Sequence, residues 1–393
     1  MFPALGEKVY GKPLVYLDNA ATTQRPLSVV EKWRRMALER NANIHRAVHF
    51  LSSEATAEYE AARDAVRDFI GAADRSEIVF TSGATASINL VAFSFGERFV
   101  GEGDEIIVTE AEHHSNIVPW QMLCERKKAH LKVARVSDDG HLDLEQLSSL
   151  LSPKTRIVAV AHVSNVLGIV NPVKEIVALC HSRGVPVLVD GAQGIVHCKV
   201  DVQDIDCDFY AFSGHKIYAA TGTGVLYAKR KWLDEMPPYM GGGEMIETVN
   251  FSGTTYARPP HKFEAGTQNI SAVPTFIPAL ETARLMGEDS AVGKYILDAL
   301  TSDSRITLYG VPRGTTDKVP VFSFSVKGVH HEDLALILDK MGIAVRSGQM
   351  CAEPLMDRFG VTGMLRASFA PYNTLEEAKY FIESLNRAIE MLL

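Results

Sequence analysis

The residues able to do chemistry in this chain stand where apolar runs end. Lys216 closes Ser213-Gly214-His215-Lys216, directly after Asp208-Phe209-Tyr210-Ala211-Phe212. A lysine is ordinarily a solvated surface charge, but one set at the rim of a buried strand loses hydration, and a lysine of depressed pKa forms Schiff bases with carbonyl compounds. Asp190 follows Val185-Pro186-Val187-Leu188-Val189 and precedes Gly191-Ala192-Gln193. A carboxylate there costs desolvation unless it meets a cation or several donors. It serves either as an N-cap for the next helix or as the partner of a protonated ring nitrogen. Phe80 ends a third run, and Thr81-Ser82-Gly83-Ala84-Thr85 leads into Ile88, Leu90 and Val91. A helix start with free N–H groups and hydroxyls binds anions, and a plain Ser/Thr cap fits the same segment equally well.

A lysine amine, a carboxylate for a ring nitrogen and a set of phosphate donors together match what pyridoxal 5′-phosphate requires. Glu110-Ala111-Glu112-His113-His114-Ser115-Asn116 adds an imidazole able to stack on a cofactor ring. No second His/Cys/Asp cluster completes a metal site at recognisable spacing, so no metal is expected. Gly222-Thr223-Gly224 lacks the third glycine of a dinucleotide loop, and no Gly-x-x-x-x-Gly-Lys-Ser/Thr occurs.

A thiol stands apart from these in Arg346-Ser347-Gly348-Gln349-Met350-Cys351-Ala352. Cys124, Cys180, Cys198 and Cys207 read as buried and inert, and the five cysteines contain no Cys-x-x-Cys pair. Cys351 lies in a loop near Arg346 and Arg366, an environment that suits a partly ionised nucleophile. Arg366, inside the otherwise buried-looking Leu365-Arg366-Ala367-Ser368, is expected to meet a carboxylate, structural or from a substrate.

The elements that position these groups follow from hydrophobic patterning. Strand-like runs at Glu77–Phe80, Glu105–Thr109, Leu131–Val136, Arg156–His162, Val185–Asp190, Asp208–Ser213 and Gly224–Ala228 alternate with helical segments, predicting an α/β fold with a mainly parallel seven-stranded sheet. Ala55, Tyr59, Ala62, Val66, Phe69 and Ile70 predict an amphipathic helix packed on it. A polar stretch from Glu244 to Gln268 precedes a predicted long helix, Pro274 to about Leu300. Short strands at Arg305–Tyr309, Val319–Val326, Ala344–Arg346 and Leu365–Phe369, with helices His331–Met341 and Leu375–Leu392, predict a smaller α+β C-terminal domain. The expected division is a large domain over 14–285 and a small one over 286–393, with an N-terminal arm over 1–13.

The chain has 393 residues, 46% hydrophobic and 22% charged, enough for a sizeable core. Its formal net charge of −8 disfavours nucleic acid as a partner. The apolar run Ile157–Val173 is interrupted by His162, Ser164, Asn165, Asn171 and Pro172, so no membrane span is expected. The first residues lack an apolar segment after a basic start, which reads as cytoplasmic.

The chain resembles the fold-type I pyridoxal phosphate enzymes of the class V aminotransferase group, specifically the SufS-type (group II) cysteine desulfurases. The resemblance rests on the order and spacing of Tyr16-Leu17-Asp18-Asn19-Ala20-Ala21, Glu112-His113-His114-Ser115-Asn116, His162-Val163-Ser164-Asn165, Val189-Asp190-Gly191-Ala192-Gln193, Ser213-Gly214-His215-Lys216, Phe263-Glu264-Ala265-Gly266-Thr267 and Arg346-x-Gly348-x-x-Cys351. It implies that Lys216 holds the cofactor covalently, Asp190 pairs with its ring nitrogen, and Gln193 bonds its phenolate oxygen. His113 stacks on the ring and moves protons. Thr85, Ser213 and His215 hold the phosphate, and Thr267 reaches the site of a second copy in a homodimer. Asn165, Arg346 and Arg366 orient the substrate, and Cys351 takes the sulfur of L-cysteine as a persulfide, for delivery to a SufE-like or SufU-like acceptor in iron–sulfur cluster assembly. A selenocysteine lyase acting on L-selenocysteine, or another class V lyase, is the alternative within the resemblance. Three places in the chain, five residues in all, depart from it. Gln349-Met350 stands where relatives often carry His-His, Ala219-Ala220 replaces Gly-Pro, and Ala84 replaces a frequent threonine.

Overall fold

A computed structural model describes residues 1–287, 290–314 and 317–393. The seven runs form seven strands of one sheet: β1 (Ile78–Thr81), β2 (Glu105–Thr109), β3 (His130–Ala134), β4 (Thr155–Ala161), β5 (Val187–Asp190), β6 (Phe209–Ser213) and β7 (Gly224–Ala228). Their order across the sheet is β1-β7-β6-β5-β4-β2-β3. The block from β6 to β3 is parallel, and β7 runs antiparallel to both β6 and β1. The fold is therefore α/β with a mainly parallel sheet, as the alternation of runs predicts.

The central strands carry apolar residues on both faces because helices cover both sides. Val158, Val160, Val187, Val189, Tyr210 and Phe212 enter one core cluster, while Ile157, Ala159, Leu188, Phe209 and Ala211 enter another. That alternation is the period-two geometry of a strand read out in packing. The expected amphipathic helix is α1 (Phe50–Ile70), with Ala55, Tyr59, Ala62, Val66 and Ile70 buried on one face. It starts where the His49 side chain accepts the Ser52 N–H, and stops at Gly71, whose φ of 68° suits a residue without a Cβ. The helix that follows β1 is α2 (Ala84–Phe99).

Two readings of the middle of the chain are corrected. The polar stretch after Glu244 contains a hairpin, Ile246–Asn250 with Gly253–Tyr256, almost wholly exposed. With no buried face it shows no alternation to detect. The single helix expected from Pro274 to Leu300 is two, α3 (Phe276–Leu285) and α4 (Ser290–Ser302). Met286 turns extended after α3, next to Gly287, a poor helix former; residues 288 and 289 of that expected helix lie outside the described residues.

The C-terminal part builds a second, antiparallel sheet from β8 (Ile306–Tyr309), β9 (Val321–Val326), β10 (Arg346–Gly348) and β11 (Met364–Ser368), in the order β8-β9-β11-β10. Helices α4, α5 (His331–Lys340) and α6 (Leu375–Leu392) cover one face, where Ile296, Leu334, Leu338, Phe381 and Leu385 pack on Phe322, Phe324 and Leu365. The expected strand Ala344–Arg346 is divided. Ile343–Ala344 pairs in parallel with Val15–Tyr16, and β10 begins at Arg346. Among the described residues no helix is long and apolar enough to cross a membrane.

Candidate active site

The carboxyl ends of the large sheet's strands, where ligands of open α/β sheets gather, face the second sheet across a cavity of about 180 Å³. Thr85, His113, Asn165, Asp190, Gln193, Ser213, His215 and Lys216 line it from the large sheet's side. Arg346, Cys351 and Arg366 line it from the other. Every residue to which the resemblance gives a site role is thus in one cavity except Thr267. That residue is exposed, on the segment after Phe263-Glu264.

Asp190 ends β5, buried, and its Oδ1 accepts the Ala192 N–H at 2.9 Å. Burial pushes its carboxyl above the usual range, opposed by the charge of Lys216. Lys216 sits in the turn Gly214–Lys216 just beyond β6. Desolvation lowers its amine to about 8, while Asp190 pulls the other way. His113 is brought to about 4 by burial and then by the neighbouring charges of Lys216, His114 and the two arginines. Its Nδ1 accepts the Ser115 backbone N–H at 3.0 Å, which can only donate, so the ring proton of the neutral imidazole resides on Nε2. The Ser115 hydroxyl lies 2.8 Å from the same nitrogen.

An anion cradle lies beside them. The Gly83 N-cap of α2 offers no side-chain cap; the first helix amide, Ala84, is taken by Ser213, and those after it are left for a ligand. Gly83 has a φ of 156°, and a Cβ on Gly224 would lie 2.3 Å from its Cα, so two glycines let β7 and the start of α2 touch. Ser213 Oγ accepts the Ala84 N–H at 2.8 Å, and burial holds His215 neutral, down to about 4.

Across the cavity, Arg366 is buried in β11. One Nη donates to the Asn165 carbonyl at 2.8 Å, the other to Asp18 at 3.1 Å, and Nε has no partner among the described residues. Arg346 reaches the other Asp18 oxygen at 3.6 Å. Arg366 thus meets a structural carboxylate, Asp18, a residue the sequence reading quoted but gave no role, and its Nε is left facing no carboxylate among the described residues. Gln193 donates to the Ala20 carbonyl at 2.7 Å, and Asn165 to the Met350 carbonyl at 2.9 Å.

Sequence reasoning also passed over Glu112. Fully buried, it accepts from Thr109 at 2.6 Å, Asn116 at 2.7 Å and the Ala161 N–H at 3.0 Å, joining the ends of β2 and β4 behind His113. Desolvation raises it to about 7. Its only sequence signal is adjacency to His113.

Cys351 is the one exposed thiol among five, and it opens onto the cavity. Desolvation raises Cys124 to about 11 and Cys180 to about 12, which keeps both protonated. The residues present fit pyridoxal phosphate: an uncapped helix start for its phosphate, a buried carboxyl for its ring nitrogen, and a half-buried amine of lowered basicity for its aldehyde.

The class-V aminotransferase family model matches residues 15–381. A cysteine desulfurase of Pectobacterium carotovorum is 46% identical over all of this chain and 97% of its own length. A probable cysteine desulfurase of Vibrio cholerae is 44% identical, with the same coverage. Among solved structures, the cysteine desulfurase CsdA of Escherichia coli, in an S-sulfonic acid form, superposes with a TM-score of 0.90 at 40% identity, covering 100% of this chain and 97% of that one. The apo cysteine desulfurase of Thermococcus onnurineus gives 0.93 at 37% identity, covering 100% and 99%. The fold, the cavity and these likenesses agree, and the chain belongs to the class-V aminotransferase family, among its pyridoxal phosphate-dependent cysteine desulfurases.

Proposed function

We propose that this chain converts L-cysteine to L-alanine and takes the released sulfur on Cys351 as a persulfide. The observation that carries the reading is that the one exposed thiol opens onto the cavity holding Lys216 and Asp190. Bound pyridoxal phosphate supplies an aldehyde for the substrate amine and an electron sink for charge at its Cα. Lys216, its amine lowered to about 8 so that about one molecule in ten is neutral at pH 7, holds the cofactor and later moves the Cα proton. Asp190 keeps the ring nitrogen's proton in place. His113, with its proton on Nε2, hydrogen-bonds at the reacting centre. Arg366 and Asn165 take the substrate carboxylate. The Cys351 thiolate attacks the substrate sulfur, the Cβ–S bond breaks, and Cβ gains a proton: cysteine plus a protein thiol becomes alanine plus a protein persulfide.

The chain is further read as a cytoplasmic homodimer of the SufS type in which Thr267, absent from its own cavity, serves that of the second copy. Residues 14–285 form its cofactor-binding domain and 286–393 its small domain. The persulfide passes to a SufE-like or SufU-like acceptor. Single-turnover assay of Cys351→Ala tests the central step. Loss of persulfide with bound-cofactor absorbance retained is expected, and sulfur release from L-cysteine at the normal rate would overturn the role.

A further inference from the structure

The turn that carries Cys351 is strained, and two residues from the large sheet's side of the cavity, Asn165 and His114, hold it. Residues Gln349 to Ala352 form a four-residue turn closed by the Ala352 N–H on the Gln349 carbonyl at 3.0 Å. Both central residues, Met350 and Cys351, have a φ of 55°, a left-handed conformation that such turns normally give to Gly, Asn or Asp. Strained backbone persists only when its surroundings over-determine it. Met350 and Cys351 each give their carbonyl to the large sheet's side of the cavity: Asn165 donates to Met350 at 2.9 Å, and the His114 backbone N–H to Cys351 at 2.8 Å.

His114 contributes a second bond. The short helix Glu353–Phe359 begins directly after the turn, and its N-cap, Ala352, offers no side-chain cap. The orphan Glu353 N–H donates instead to the His114 Nε2 at 3.0 Å. An imidazole 239 positions away thus does the work of an N-cap, and does it on the residue two places beyond the nucleophile.

We propose that His114 is a positioning residue for sulfur transfer: it caps the helix after Cys351 and so keeps the strained turn seated with its thiol over the cavity. The proposal rests on Cys351 being the sulfur acceptor. His114 touches neither substrate nor cofactor in this role; it acts through the turn. Because Nε2 accepts, the ring works in its Nδ1–H form, and any side chain with an acceptor at the same reach serves. A ring-for-methyl exchange removes the acceptor and leaves the turn held from the large sheet by Asn165 and one backbone bond.

The test uses the cofactor-loaded enzyme and three measurements on wild type, His114→Ala and His114→Gln: hydrogen exchange of the Glu353 amide, the steady-state constants for L-cysteine, and bound-cofactor absorbance. Wild type is expected to protect the Glu353 amide. His114→Ala is expected to exchange it faster and to lose kcat by about ten- to hundred-fold, the scale of a small misplacement of a reacting group, with KM and absorbance unchanged. His114→Gln, whose side-chain carbonyl can accept the N–H, is expected to regain most of both protection and kcat. A Glu353 amide that exchanges in wild type like an open loop, a His114→Ala enzyme with normal kcat, or equal losses in both variants would overturn the proposal. Desulfuration by Cys351→Ala would instead remove the role of Cys351, and the exchange result would stand apart from it.

Discussion

In the proposed function Lys216 takes the cofactor's aldehyde, which an amine does only when free of its proton, so its basicity governs cofactor uptake. With the amine lowered to about 8 by burial, about one molecule in ten is neutral at pH 7, against about one in three thousand for an unperturbed lysine. The neutral form grows as pH rises through that value. Uptake of pyridoxal phosphate by the apo form, followed by absorbance, is therefore expected to accelerate with a midpoint near pH 8, and a midpoint above 10 would contradict the assigned environment. Arg366 presents a second case. Its fork is held by the Asn165 carbonyl and Asp18, with Nε unpartnered among the described residues, a planar arrangement lysine cannot reproduce. Arg366→Lys is expected to remove a charge-assisted bond of about 1.5–3 kcal/mol, seen as a roughly ten- to hundred-fold higher KM for L-cysteine; an unchanged KM would refute its contact with the substrate carboxylate. The sequence alone required a carboxylate for Arg366 but could not name Asp18, 348 positions away. Nothing in local spacing encodes a pairing made by tertiary folding.

At the level of elements, legibility followed burial. Strands of the large sheet are apolar on both faces, so β5 and β6 stand out as runs, and the residues at their ends were found by looking where runs stop. The exposed hairpin at Ile246–Tyr256 buries neither face and left no pattern. The segment Phe263–Thr267 was legible only through resemblance, and the structure supplies its anchor. Glu264 meets the Arg63 guanidinium of α1 through two bonds of 2.7 and 2.9 Å, and its Oε1 also accepts the Phe80 N–H of β1 at 2.7 Å. Both side chains are fully buried, with only 1% of each exposed. Glu264→Ala removes the fully buried partner of Arg63 and the acceptor of the Phe80 N–H, leaving Glu60 as the guanidinium's one carboxylate among the described residues, so it is expected to cost about 3–5 kcal/mol in denaturant unfolding, whereas the exposed pair Lys294–Asp298 is worth well under 1 kcal/mol. A Glu264→Ala loss as small as that of Asp298→Ala would show the anchor to be unimportant. The anchor also fixes where the Thr267 loop leaves the large sheet.

At the level of the whole molecule, the site exists only because two sheets meet. The segment from Val15 to Asp18 does much of the joining: it pairs in parallel with Ile343–Ala344, and its Asp18 is shared by Arg346 and Arg366. Lys216 and Asp190 come from the first sheet and Cys351 from beyond the second, which is why their convergence was not readable from any one stretch of chain, while the order of motifs along the whole chain pointed to it. The central claim is that this convergence makes Cys351 the sulfur acceptor. Mass spectrometry of the cofactor-loaded protein after brief exposure to L-cysteine, with the thiols mapped by peptide, tests it most directly. The account predicts one added sulfur, on Cys351, with Cys124, Cys180, Cys198 and Cys207 unmodified. Alanine formed while Cys351 stays unmodified and the sulfur appears elsewhere would contradict it.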